Sequence, residues 1–195
     1  MTRSPGNPAR LAPHDPEWSE RAREMLDRIR GALTDLPGAD AASFDHIGST
    51  AVPGLDAKPV VDLQVRMLPL PSEDEASARL HGVGFRREWG ARPDSPGVTF
   101  DLPRGAAVVP ADVWQKRLFV STAGDAILHL RRADSPWGEA TVRFRDRLRR
   151  DPAARARYQE LKRLLSAENA GKADYDDYTR AKTVFFDDMH DSAAR

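Results

Sequence analysis

The residues with the clearest chemical potential lie between His46 and Val65, in the run HIGSTAVPGLDAKPVVDLQV. Gly48 lets the backbone come close to a ligand, Ser49 adds a hydroxyl, and the free amides of the turn that begins there can hold an anion. Pro53-Gly54 reverses the chain. Lys58 precedes Pro59, which holds it extended at the entrance of a strand. Within that strand Val61, Leu63 and Val65 alternate with Asp62 and Gln64, so the two polar side chains share a face. A Gly48-Ser49-Thr50 turn beside a strand carboxylate suits a magnesium-bound triphosphate, since magnesium prefers oxygen ligands and bridges phosphates. The plainer reading is a helix cap followed by a structural Asp. Two familiar motifs fail. A Walker A loop needs G-x-x-x-x-G-K-[ST], whereas Leu55 follows Gly54, and the elbow G-x-S-x-G is also unmatched, which removes Ser49 as a hydrolase nucleophile.

The elements that must position these residues follow from periodicity. Trp18, Ala22, Met25, Leu26, Ile29 and Leu33 form one apolar stripe of a helix over Glu17–Leu36, with Asp15 as its cap and Pro16 at its first turn. A short strand runs from Ala41 to Ile47, and the Asp62 strand from Pro59 to Arg66. Residues 73–81 read as a helix and 83–89 as a strand. Gly90–Pro110 is a long Pro- and Gly-rich excursion in which only 98–102 looks strand-like. Trp114–Ser121 and Ala126–Arg132 form a hairpin. Three helices close the chain. Trp137, Ala140, Phe144 and Leu148 face inward on the first, and Ala154, Tyr158, Leu161 and Leu165 on the second. Tyr178, Ala181, Phe185 and Met189 do so on the third, which Asp174 opens. This order predicts an α/β chain of the α+β type, a mixed sheet packed with helices and a helical C-terminal half. One domain over 15–191 is expected behind a disordered tail at 1–14.

Composition narrows the function classes. The 195 residues carry 30 Lys plus Arg and 30 Asp plus Glu, so net charge gives no reason to expect nucleic acid or a membrane surface as partner. The absence of cysteine removes disulfides and thiolate-bound zinc, and the five histidines show no metal spacing. No run is long and apolar enough to cross a membrane, and residues 1–16 lack the core of a signal peptide. A cytoplasmic protein is expected.

HIGSTAVPGL-x-AKP-x-x-D resembles the signature of the GrpB family, which is placed in the DNA polymerase β-like nucleotidyltransferase superfamily. The resemblance extends through Asp15-Pro16-Glu17-Trp18, Trp114 to Phe119, Leu128-His129-Leu130, Phe144-Arg145-Asp146, Tyr158-x-x-Leu161-Lys162 and Tyr178-x-x-x-Lys182. Val61-Asp62-Leu63-Gln64-Val65 is most similar to the branch fused behind dephospho-CoA kinase in actinobacteria. The superfamily implies a Gly-Ser turn, a D-x-D strand and a third acid on a neighbouring strand, which together hold two magnesium ions. Those ions serve transfer of a nucleotidyl group from a nucleoside triphosphate to a small acceptor. Asp62 and Gln64 then stand at the metal positions, with Gln64 neutral where an acid is expected. Asp101 is the candidate third acid provided its strand adjoins that of Asp62, and His129 is the second candidate for that corner. The alternative is a binding module for a nucleotide or coenzyme A precursor that has lost two-metal chemistry at Gln64.

The remaining candidates carry two readings each. His46 faces a ligand or is structural, and His129 is catalytic or a satisfied core histidine. Lys116 and Arg117 leave their strand on opposite faces, so that one can reach phosphates. Lys182 shares a helix face with Tyr178 and either closes over a nucleotide or snorkels. Arg143, Arg147 and Arg150 form a stripe that reads as a solvated, ion-paired face.

Overall fold

A computed structural model describes residues 10–90, 92–103, 109–172, 174 and 176–191, with the side chains of the last helix placed as far as 182 and at 185. The elements run α1 (Glu17–Leu33), β1 (Ser43–Ile47), β2 (Val61–Met67), α2 (Glu73–His81), β3 (Phe85–Arg87), β4 (Lys116–Ser121), β5 (Ala126–Arg132), α3 (Pro136–Arg150), α4 (Pro152–Glu168) and α5 (Asp176–Asp191). The strands form one mixed sheet in the order β1-β2-β5-β4-β3. The central pair β2 and β5 is parallel, and the other neighbours are antiparallel.

Strand alternation sorts the sheet into two faces. Leu63, Val65, Leu128, Leu130 and Phe119 lie on one, where the α1 stripe from Trp18 to Leu33 and Ala76 and Leu80 of α2 complete the main core. The other face carries Asp62, Gln64, His129, Arg131 and Lys116, brought side by side by the register Gln64↔His129 and Lys116↔Arg131. Apolar packing on this side is displaced outward, into a second cluster of Val52, Leu55, Leu148, Ala154 and Tyr158 with Phe144 and Phe185 against it. The Tyr158 ring stacks on Phe185 at 5.1 Å and meets Phe144 edge-on at 5.1 Å. The candidate chemistry thus lies between the sheet and α3–α5.

The expected helices and hairpin are present, with shorter ends. The first helix stops at Leu33, because the chain turns at Leu36 ahead of Pro37-Gly38. The expected strand over 83–89 pairs only at 85–87. The run 98–102 makes one bridge, Phe100 to Gln115, bracketed by Asp101 N–H to Trp114 O at 2.9 Å and Lys116 N–H to Thr99 O at 2.9 Å. The tail expected at 1–14 is described only from residue 10 onward. There Ala12 exchanges two backbone hydrogen bonds with Ala57, of 2.8 and 2.9 Å. The inward placement expected for Met189 also lies outside the described side chains.

Candidate functional site

The loop after β1 is built around Gly48. Its φ of 71° with ψ of −167° falls in a region open essentially to glycine alone. A Cβ added there would lie 2.3 Å from Asp62 Oδ2, so the carboxylate rests directly against the glycine backbone. Ser49 and Thr50 begin a single 3-10 turn, and the Ser49 side chain lies close to the Tyr158 hydroxyl. Two arginines of α3 fix the loop from outside: Arg145 donates to His46 O and Arg149 to Ala51 O, each at 2.8 Å. Gly48→Ala is therefore expected to cost on the order of 1–3 kcal/mol in backbone strain alone. A urea unfolding midpoint unchanged from the parent protein would rule out this account of the turn.

Two acids were expected to meet in the site, and burial separates their roles. Asp62 keeps 35% of its side-chain surface open, whereas Asp101 keeps 2%. Burial would raise the Asp62 carboxyl, but His129, Lys182 and Lys58 outweigh it and hold it ionised below its ordinary value. Asp101 follows the bridge at Phe100 and adjoins the lead-in to β4. The neighbours of the Asp62 strand are β1 and β5, so the condition set for a third acid is not met. Asp101 instead accepts from Arg131 Nε at 2.7 Å and Nη2 at 3.1 Å, and pairs with Lys116 Nζ at 3.1 Å. Burial alone would raise it, but these two cations bring it down to about 2.

Gln64 is likewise committed. Its Oε1 accepts from Arg131 Nη1 at 2.8 Å and its Nε2 donates to Gly138 O at 2.9 Å, while the one hydroxyl hydrogen of Thr141 has Oε1 at 3.0 Å and Gly138 O at 2.9 Å as its acceptors. The guanidinium on Oε1 puts a permanent positive charge where a metal would have to bind. Gln64 is correspondingly not a free metal ligand. Among the described residues no group of three His, Cys, Asp or Glu side chains could hold a metal ion. The donor set does not fit the two magnesium ions that the superfamily implies.

His129 links the two ends of the cluster. Its Nδ1 faces Lys116 Nζ at 3.2 Å and Arg131 Nη2 at 3.4 Å, so this nitrogen presents its lone pair and the ring hydrogen sits on Nε2. Nε2 is 3.8 Å from Asp62 Oδ1, an electrostatic rather than hydrogen-bonded contact. Burial, reinforced by Lys116 and Arg131, lowers its pKa to about 4, and the ring is neutral at pH 7. Burial also lowers Lys116, to about 8, against the pull of Asp101.

Around Asp62 stand three more amines. Lys58 comes from the loop before β2, Lys162 from α4 and Lys182 from α5. Burial followed by repulsion from Lys182 lowers Lys58 and Lys162 to about 7 each, and burial lowers Lys182. Asp62 acts on all three in the opposite sense. Lys162 is fully buried, donates to Asp56 O and lies 5.3 Å from the Tyr158 ring centre, while Lys182 lies 4.5 Å over Tyr178.

Two expected binding residues are placed elsewhere. His46 pairs with Leu63 in the ladder and therefore points to the face opposite Asp62, where its Nε2 meets Thr50 Oγ1 at 3.0 Å. Arg117 also leaves on that opposite face, while Lys116 turns into the cluster. Of the arginine stripe, Arg143 pairs with Glu139 on an exposed surface. Arg131, Lys162 and Tyr158 were not foreseen as site residues. The detectable signal for Arg131 is its i+2 spacing from His129 in the strand AILHLRR, which puts both on one face.

The excursion after β3 reaches the same region. A Cβ on Gly97 would lie 3.2 Å from Lys116 Nζ. Arg92 forks onto Asp174 with two 2.8 Å bonds, Ser95 donates to Asp176 at 2.6 Å, and Arg180 donates to Asp94 O and Oδ2 at 2.8 Å. This ion cluster ties the excursion to the start of α5, the helix that carries Tyr178 and Lys182.

The fold is that of an α/β protein, a mixed five-stranded sheet with helices stacked over the face that carries Asp62. The profile described as GrpB protein matches residues 8–192, and the chain belongs to the GrpB family. A Mycolicibacterium paratuberculosis protein named dephospho-CoA kinase is 33% identical over 190 residues, covering 94% of this chain and 45% of that protein. A UPF0157 protein of Streptomyces coelicolor is 31% identical over 173 residues, covering 89% of this chain and 77% of its own length. The chain spans about half the length of the mycobacterial relatives it matches. The crystal structure of conserved protein GrpB from Enterococcus faecalis shares the fold, with a TM-score of 0.64 at 20% identity, over 92% of this chain and 99% of that one. No helix among the described residues is long and apolar enough to cross a membrane.

Proposed function

We propose that this chain binds a phosphorylated small molecule of the nucleotide or coenzyme A-precursor class in the pocket between β2, α4 and α5. The observation that carries the reading is that Lys58, Lys162 and Lys182, from three separate elements, all lie within electrostatic reach of Asp62 on the site face of β2, with Asp56 acting on Lys162 and Asp176 on Lys58 as well. A phosphate among these amines would favour their charged forms and gain from all three, and lysine is a common point-charge partner of phosphate. Ser49 and the amides of its turn add neutral donors. The kinase name borne by the mycobacterial relatives supports the ligand class, since that name refers to a phosphorylated nucleotide-containing molecule. Calorimetry with ATP, CTP and dephospho-CoA tests the reading, with Lys182→Met as the variant. A charge-assisted hydrogen bond contributes about 1.5–3 kcal/mol, so the variant is expected to bind about tenfold more weakly or worse. Equal affinity of the two proteins would remove Lys182 from the site, and no heat with any of the three ligands would end the proposal.

A second reading, transfer of a nucleotidyl group from a magnesium-bound nucleoside triphosphate to a small acceptor, is favoured by Asp62 beside His129 on the site face of the sheet. Asp62 would accept the proton of the attacking hydroxyl, with His129 Nε2–H stabilising the carboxylate. Pyrophosphate release from a nucleoside triphosphate in magnesium buffer, lost in Asp62→Ala, is the result that would carry it. Binding without pyrophosphate release leaves the binding module.

A further inference from the structure

We infer that the pocket recognises phosphate without a divalent metal, with the lysine ammonium groups supplying the positive charge; this rests on the phosphorylated-ligand reading above. A magnesium ion needs several oxygen ligands in near-octahedral arrangement. Beside a phosphate the acids and amide that could have offered them are Asp62, Gln64 and Asp45 on the site face of the sheet and Asp101 from the excursion, and Asp45 already faces Arg66 and Arg145, each at 3.7 Å. Gln64 Oε1 already accepts from the Arg131 guanidinium at 2.8 Å. Both oxygens of Asp101 are paired, one with Arg131 and the other with Arg131 and Lys116. His129 turns its lone pair toward Lys116 and Arg131, away from Asp62. Arg131 therefore stands where a second metal ligand would have to point, and its guanidinium cannot shed its charge.

Asp62 remains as one open carboxylate, and one carboxylate among several cations is a poor magnesium site but a useful counter-ion. It keeps the amines from repelling one another in the empty pocket, and its outer oxygen can accept from a hydroxyl or amine of the ligand. The ligand class that fits is a phosphate ester with such a donor close to its phosphate.

Two measurements decide this, using inorganic pyrophosphate and ATP as probes and the full chain. Titration calorimetry in EDTA and in excess magnesium is expected to give dissociation constants within about threefold of each other. Tightening by magnesium of about tenfold or more overturns the inference. Asp62→Asn keeps the side-chain shape and removes the negative charge. If the amines bind the phosphate directly, the variant binds pyrophosphate more tightly, in EDTA and in magnesium alike. If a metal bridges Asp62 to the phosphate, the variant loses the magnesium-dependent part of binding, which also overturns the inference. The magnesium comparison on the parent protein stands even where the variant folds poorly. Absence of binding in both buffers overturns the phosphorylated-ligand reading, and metal-free recognition falls with it. Tight binding confined to magnesium overturns metal-free recognition alone.

Discussion

Asp101→Ala is expected to lower stability by about 3–5 kcal/mol, the usual cost of removing one partner from a buried ion pair. The carboxylate is shared by Arg131 and Lys116, and all three side chains are at least 97% withdrawn from solvent, with exposures of 2%, 2% and 3%. After its removal the two cations respond differently. Lys116, already lowered to about 8, can release its proton, whereas Arg131 stays charged and keeps Gln64 Oε1 as acceptor. Asp101→Asn is accordingly expected to be nearly as destabilising as the alanine variant, because it preserves shape but not charge. Urea denaturation of the three proteins at pH 7 is the measurement. A loss below about 1 kcal/mol for Asp101→Ala would show that the cluster is not a closed ion network.

Acidification is expected to weaken the fold well before carboxylates titrate. Burial holds His129 and His46 at about 4, against 6.5 in an unfolded chain. Their folded pKa values lie below the unfolded ones, so between pH 6.5 and 4 the unfolded state binds protons that the native state refuses, and stability falls as pH falls. At about 1.4 kcal/mol per unit, each histidine withdraws on the order of 3 kcal/mol by pH 4. Asp101 acts further down. Its depressed pKa gives stability that is present above its unfolded value of 3.8 and is lost as pH falls through about 2. The lysines extend the same slope upward. Lys58 and Lys162, at about 7 in the fold and 10.5 unfolded, make stability rise between those values in the empty protein. Denaturant midpoints measured from pH 4.5 to pH 9 should climb throughout, with His129→Asn flattening the acidic limb. A flat profile from pH 7 to 4.5 would contradict the buried, neutral state of both rings.

The elements were legible because each carries its own period: the α1 stripe, the alternation around Asp62 and the hairpin turn at Ala123-Gly124-Asp125 are local signals. The Gly48 turn and Asp62 were legible for the same reason, being close in sequence and in space. What was not legible is register and depth. His46 and Asp62 fall on opposite faces only once Leu63 is known to be the partner of His46. Asp101 read as an available acid because nothing local shows that Arg131 and Lys116 close on it from strands later in the chain. Lys162 sits on the apolar side of α4 among Tyr158 and Leu165, where a helical pattern registers it as an interruption and not as a ligand. Gln64 was read correctly as facing the acid side, yet the hydrogen bonds that consume it come from α3 and β5.

The central pairing of β2 with β5 also governs how the chain reaches its native state. β1 and β2 can zip together as neighbours, but the other edge of β2 stays open until α2, β3, the excursion and β4 have all been laid down. Parallel pairing of segments so distant in sequence requires a long loop to close before any contact rewards it, which slows assembly and prolongs exposure of an apolar strand edge. During synthesis on the ribosome, Val61–Met67 emerges well before β5, its parallel partner. The strand that presents Asp62 to the pocket is thus also the one that waits longest to be covered.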